Sequence, residues 1–224
     1  MIPIRDEIPT RSVPVVNYTL IATNIFVFLL MALAGPAQEK LVYQFAMIPS
    51  NFKGGVDIGD IADIFTSMFM HAGFAHIAGN MLYLWVFGDN VEDRLGHVGY
   101  LLFYLAGGVF ASMTHLLTSP GSQIPTVGAS GAIAAVLGAY LVMYPHSRIQ
   151  TFIPLGYFMR LAVVPATVVL GFWFVLQLFN GVLSLGGPDV GGVAFWAHIG
   201  GFIAGVVMAK LLAPGPDPEN TITW

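Results

Sequence analysis

A single serine, Ser130, sits between Gly128 and Gly131 in PTVGASGAIAAVLGAY (residues 125–140), where an apolar helix begins. A serine hydroxyl becomes a useful nucleophile only when a base takes its proton. The chain offers a candidate base far downstream, His198 in AFWAHIGGFIAG. Attack on an acyl carbon also needs donors for the developing oxyanion. The first turn of a helix supplies free backbone N–H groups and a favourable dipole, so Ser130 brings its own amide. His76 and Asn80 are four residues apart, share a helical face and can both donate. The chemistry these types point to is acyl transfer, with Ser130 and His198 as the catalytic pair and His76, Asn80 and the Ser130 N–H as the oxyanion hole. Singly, each residue has a plainer reading. Ser130 would back-bond to the i−4 carbonyl, and His198 and Asn80 would hydrogen-bond between helices.

Convergence requires elements that carry these residues to one level. Of the 224 residues, 56% are hydrophobic and 9% charged, against roughly 25% charged in a soluble domain. Such a chain cannot cover a water-facing surface with charge, so its class is membrane protein. The formal charge of −4 is small and dispersed, which argues against a nucleic-acid partner. The absence of cysteine excludes disulfides and thiolate metal sites. Neither an H-E-x-x-H pattern nor a carboxylate accompanies the histidines inside the apolar runs, so no metal and no cofactor is expected.

Six stretches approach the ~20 apolar residues of a spanning helix: Val15–Ala34, Ala72–Phe87, Val98–Thr118, Ala129–Tyr144, Leu161–Leu185 and Gly192–Ala213. The expected fold is all-α, a polytopic membrane bundle of six transmembrane helices over residues 15–213, with tails at 1–14 and 214–224. The long connection at about 36–70 has aromatics and short apolar bursts, and reads as an interfacial structure. Arg5, Arg11, Arg94, Arg148, Arg160 and Lys210 fall on one side, against Lys40 and Lys53 on the other. That asymmetry places both termini in the cytoplasm. No cleavable signal or transit peptide is visible, so a prokaryotic inner membrane is the expected location.

In this topology helices two, four and six all begin on the outer side. Their first turns carry His76 and Asn80, then Ser130, then His198. Ser130 to Tyr144 spans about 22 Å at ~1.5 Å per residue, less than the ~30 Å hydrocarbon core. The loop before Ser130 therefore dips below the surface, into a wet pocket where non-helical backbone is tolerated. Gly201 and Gly205 follow His198 on one face. Gly131, Ala134, Ala135 and Gly138 form a matching strip, and such small faces let membrane helices approach closely. No acid lies well inside a span, so the expectation is a dyad and not a Ser-His-Asp triad. His71, about 140° round a helix from His76, is expected to face away from it, towards the pocket mouth. His97, His115 and His146 are assigned to interfaces. Gln177 and Asn180 share a face and read as interhelical hydrogen bonders.

Assembled, these pieces resemble the rhomboid intramembrane serine proteases. The matching elements are Gly128-Ala129-Ser130-Gly131 as G-x-S-G, Ala197-His198 followed by Gly201 and Gly205, His76 with Asn80, and Gly88-x-x-x-Glu92-x-x-x-Gly96. The resemblance covers roughly residues 15–213. It implies Ser130 as nucleophile, His198 as base and then acid, the oxyanion hole already named, and structural roles for Gly128, Gly131, Gly201, Gly205, Glu92 and Arg94. It also implies the lipid bilayer as surround and single-span membrane proteins as substrates, cleaved in or near their transmembrane segment, and a fifth helix acting as lateral gate, with Phe172, Trp173 and Phe174 plugging it. Two positions depart from the family pattern. Ala134 stands where many relatives put an aromatic under the histidine, and Ala62-Asp63 where a Trp-Arg pair is common. The alternatives are a catalytically inactive rhomboid-like protein that binds or escorts membrane proteins, and a transporter, which would require broken helices and internal symmetry.

Overall fold

Backbone polar groups in lipid must find partners within their own segment, so long apolar runs fold as helices. The computed structural model describes residues 1–155, 158–185 and 192–212. In chain order the elements are β1 (Ile2–Asp6), α1 (Val15–Leu33), α2 (Gln38–Phe45), α3 (Ile58–Ser67), α4 (Phe74–Leu95), α5 (His97–Thr118) and α6 (Ser130–Met143). They are followed by β2 (Arg148–Leu155), β3 (Phe158–Pro165), α7 (Ala166–Ser184) and α8 (Phe195–Leu212). The chain is a membrane helix bundle, as its composition implies. Among the described residues four helices, α1, α5, α7 and α8, are long and apolar enough to cross a bilayer. Helix α4 has 22 residues and carries Asp89, Glu92, Asp93 and Arg94 towards its C-terminus. Helix α6 has only 14 residues.

Two expected boundaries move by about five residues or more. Helix α4 continues to Leu95 where the apolar run suggested a stop at Phe87, because its polar last turns are held by partners from other elements. The fifth helix begins at Ala166 and not at Leu161, because Leu161–Pro165 belong to β3. Strands β2 and β3 form an antiparallel hairpin, from Arg148 opposite Pro165 to Leu155 opposite Phe158, and β1 adds to the other edge of β2. The helical class holds, with a three-stranded sheet added at the end where α6 stops and α7 starts. The β-branched and aromatic residues of 148–165 suit a strand, but hydropathy alone merges the last of them into the next span.

Helix α6 is apolar all round, and such a helix belongs in the middle of a bundle. It packs against α4, α5 and α8 and is buried along almost its whole length. At the sheet end a polar knot fixes α1. Pro14 offers α1 no side-chain cap. The carboxylate of Glu92, itself 1% exposed, instead accepts from the Val16 N–H (2.9 Å), the Asn17 N–H (2.6 Å) and His97 Nδ1. A carboxylate there satisfies orphan amides and meets the positive end of the helix dipole. Asn17 donates to the Leu84 carbonyl and accepts from the Tyr100 hydroxyl, while Asp93 accepts from Arg11 and Ser12. His97, expected at an interface, opens α5 and joins this knot.

At the opposite end, residues 36–70 fold back on the loop that leads into α6. Helix α3 starts with a reciprocal Asp57–Asp60 capping box. Met47 bridges Thr126, the Ser50 N–H donates to the Ser122 carbonyl, and the Gly128 N–H donates to the Ser67 carbonyl. These backbone bonds hold the approach to Ser130 in place.

Strand β1 contributes a buried acid. Asp6 accepts from the Tyr140 hydroxyl at 2.6 Å. Burial pushes its carboxyl up to about 7; the Tyr140 bond opposes that and the nearby Asp89 adds to it. A carboxyl that binds its proton more tightly folded than unfolded contributes stability below its ordinary range and loses it as pH rises through the folded value. Thermal unfolding of the solubilised protein is therefore expected to shift to lower temperature between pH 4 and pH 7. Asp6→Asn should flatten that slope, and an unchanged slope in the variant would remove Asp6 as its source.

Candidate active site

Helix α6 begins at Ser130 itself. Its first intrahelical bond runs from the Ile133 N–H to the Ala129 carbonyl, so the amides of Ser130, Gly131 and Ala132 have no acceptor within the helix. The preceding Gly128 has φ +135°, a conformation that side chains resist. A Cβ there would also lie 2.8 Å from His76 Nε2 and 3.5 Å from Ser130 Oγ. Glycine at 128 thus lets the chain turn into α6 and brings His76 beside the serine.

His198, near the start of α8, is 8% exposed. Its Nε2 lies 2.7 Å from Ser130 Oγ, within the range for proton transfer. The contact exists because α6 and α8 nearly touch along their backbones. A Cβ on Gly201 would overlap the Gly131 carbonyl, one on Gly205 the Ala135 carbonyl, and one on Gly138 the Phe202 carbonyl. The small-residue strips read from the sequence are these surfaces.

The second nitrogen of His198 meets α7. Nδ1 is 2.8 Å from Gln177 Oε1, and the Trp173 ring lies tilted over the imidazole with centroids 5.8 Å apart. The aromatic missing at Ala134 is thus supplied from another helix. Gln177 does bond between helices, but its partner is the candidate base, while Asn180 donates to the Leu176 carbonyl of its own helix. The Phe172–Phe174 trio divides three ways: Phe172 is 44% exposed, Trp173 covers His198, and Phe174 stacks on Phe202.

His71 departs from its expected place. It precedes α4, so the helical angle from His76 does not apply. Its ring meets that of His76 edge-on at 5.0 Å, and its Nε2 accepts from the Asn80 amide at 2.9 Å. Asn80 keeps a second N–H for another acceptor. Ser130, His198, His76 and Asn80 line one partly open cavity of about 1190 Å³, walled by residues 119–128 and 183–185 and by the start of α8. Among the described residues no histidine–carboxylate group could hold a metal.

Residues 59–215 match the family model described as Rhomboid domain. The chain belongs to the rhomboid family. It is 30% identical over 201 residues to "Rhomboid protease GluP" of Bacillus subtilis (strain 168), covering 89% of this chain and 38% of that protein. It is 29% identical over 140 residues to "Rhomboid protein 1, mitochondrial" of Saccharomyces cerevisiae (strain ATCC 204508 / S288c), covering 61% of this chain and 38% of the relative. Against "Presenilin-associated rhomboid-like protein, mitochondrial" of Homo sapiens it is 28% identical over 182 residues, 77% of this chain and 45% of the other. This rhomboid spans less than half the length of each of these three relatives.

Sequence reasoning missed His71, Trp173 and the true partner of Gln177. One signal was present: Trp173 and Gln177 are four apart and share a face.

The α6–α8 seam generates a stability test. Forcing a methyl group into packed backbone costs about 1–3 kcal/mol, and each kcal/mol moves the midpoint by roughly 2–4 °C at this size. Gly205→Ala should lower the unfolding midpoint by several degrees. Gly79→Ala, with open space around its Cβ position, should not. Equal midpoints would mean that the seam tolerates a wider spacing.

Proposed function

We propose that this rhomboid is a serine endopeptidase that hydrolyses peptide bonds in or near the transmembrane segment of single-span membrane proteins. The observation that carries the reading is the 2.7 Å contact between Ser130 Oγ and His198 Nε2 inside a cavity that is partly open. The Bacillus subtilis relative, which is named a rhomboid protease, agrees with it.

In this reading Ser130 Oγ bonds to the scissile carbonyl carbon as its proton passes to His198 Nε2, and the carbonyl π pair moves onto oxygen. The Ser130 N–H, His76 and the free N–H of Asn80 surround that oxyanion. One such side-chain donor is worth about 2.7–4 kcal/mol at the transition state. As the C–N bond breaks, the imidazolium returns its proton to the leaving amine. Water then adds to the acyl carbon as His198 Nε2 takes its proton, and the bond from that carbon to Ser130 Oγ breaks as the proton passes to Oγ, releasing the carboxyl product and restoring the serine. A lipid-facing helix has every peptide group bonded, so the substrate must unwind locally to present a carbonyl. Glu92, Gly128, Gly131, Gly201 and Gly205 serve this chemistry by holding helices in place. The distribution of Lys and Arg supports both termini lying on the cytoplasmic side.

The test is covalent labelling by a fluorophosphonate, and cleavage of a model single-span substrate, by the solubilised protein. Ser130→Ala and His198→Ala should each abolish cleavage, and Ser130→Ala should abolish labelling. Activity should fall at low pH as His198 takes up a proton. Labelling that survives Ser130→Ala would overturn the assignment. A folded wild type that neither labels nor cleaves would favour a binding or escort role.

A further inference from the structure

We propose that Gln177 on α7 is the positioning residue of the base: its side-chain carbonyl holds His198 in the one tautomer that can take the Ser130 proton. The inference rests on the Ser130–His198 reading above and assigns the role that an aspartate fills in a triad.

The argument starts from donor and acceptor types. An amide oxygen can only accept, so a His198 Nδ1 at 2.8 Å from Gln177 Oε1 carries the hydrogen. A neutral imidazole with hydrogen on Nδ1 keeps its lone pair on Nε2. That nitrogen faces Ser130 Oγ at 2.7 Å. Of the titratable groups facing His198, His76 comes from α4 and His115 from α5, and neither is an acid. The orienting acceptor is therefore a neutral amide. When Nε2 takes the serine proton, the Nδ1–H stays in place and its bond to Gln177 becomes charge-assisted.

Trp173 lies one turn before Gln177 on the same face, and its ring covers the imidazole and touches Phe202. Hydrogen bond and ring contact both come from α7, which joins the bundle chiefly through α8. The Trp196 indole N–H donates to the Gly181 carbonyl and fastens the two helices further along. His198 is thus aligned only while α7 is seated against α8.

The experiment measures cleavage of a single-span substrate and fluorophosphonate labelling across pH, in the full chain, for wild type, Gln177→Leu and Gln177→Glu. Losing one orienting hydrogen bond should lower kcat about tenfold with KM within about twofold. Gln177→Glu restores an acceptor and should recover most of the rate. Its acid limb should move to higher pH, because a carboxylate stabilises the imidazolium. A merely structural Gln177 predicts no such displacement. If Gln177→Leu does not fold, the Gln177→Glu profile decides alone. Gln177→Leu at or above the wild-type kcat, or a Gln177→Glu profile superimposed on wild type, overturns the role of Gln177 and leaves the dyad standing. A folded wild type that neither labels nor cleaves overturns the dyad, and this role with it.

Discussion

Two helices can bring their backbones into contact only where neither presents a side chain, and in this rhomboid that condition is met between α6 and α8. Gly201 lies over the Gly131 carbonyl and Gly205 over the Ala135 carbonyl, while Gly138 faces the Phe202 carbonyl from the other side. Within a bilayer the hydrophobic effect does little to draw helices together, so close van der Waals contact must do it. The same contact sets the distance between Ser130 and His198.

The rest of the bundle keeps that seam in register. Glu92 ties the start of α1 to the end of α4 and the start of α5, through two backbone amides and His97. The sheet and Asp6 brace the far end of α6. At the serine end, backbone bonds from the 36–70 segment hold the descending loop. Each device satisfies polar groups that would be expensive to leave unpaired in an apolar surround. Asn17, Glu92 and Tyr100 thus form a knot at one end of the bundle, while His76, Asn80, Ser130 and His198 line a cavity at the other.

Several features were legible before any coordinates. The helical membrane class follows from composition, and the spans from hydropathy. The positions of His76, Asn80, Ser130 and His198 at one level follow from the alternating direction of the helices. Ala134 marks the absence of an aromatic on α6 but does not say that Trp173 of α7 covers His198. What stayed hidden involved partners far apart in sequence. Gln177 looked like general interhelical glue because periodicity shows which residues share a face and not what that face meets. A helical angle does not place His71, because the segment before Phe74 is not helical. The end of β3, Leu161–Pro165, merges into the fifth span because both read simply as apolar.

By itself the sequence determined the solvent, the helical class of the bundle, and the small-residue faces able to approach closely. These depend on local composition and on the need of each segment to satisfy its own backbone in lipid. Only the tertiary structure decided which faces meet, that Trp173 and Gln177 of α7 support His198, and that Glu92 caps a helix begun some 75 residues earlier. Those contacts are long-range, and their energies depend on distances of tenths of an ångström that no local pattern encodes.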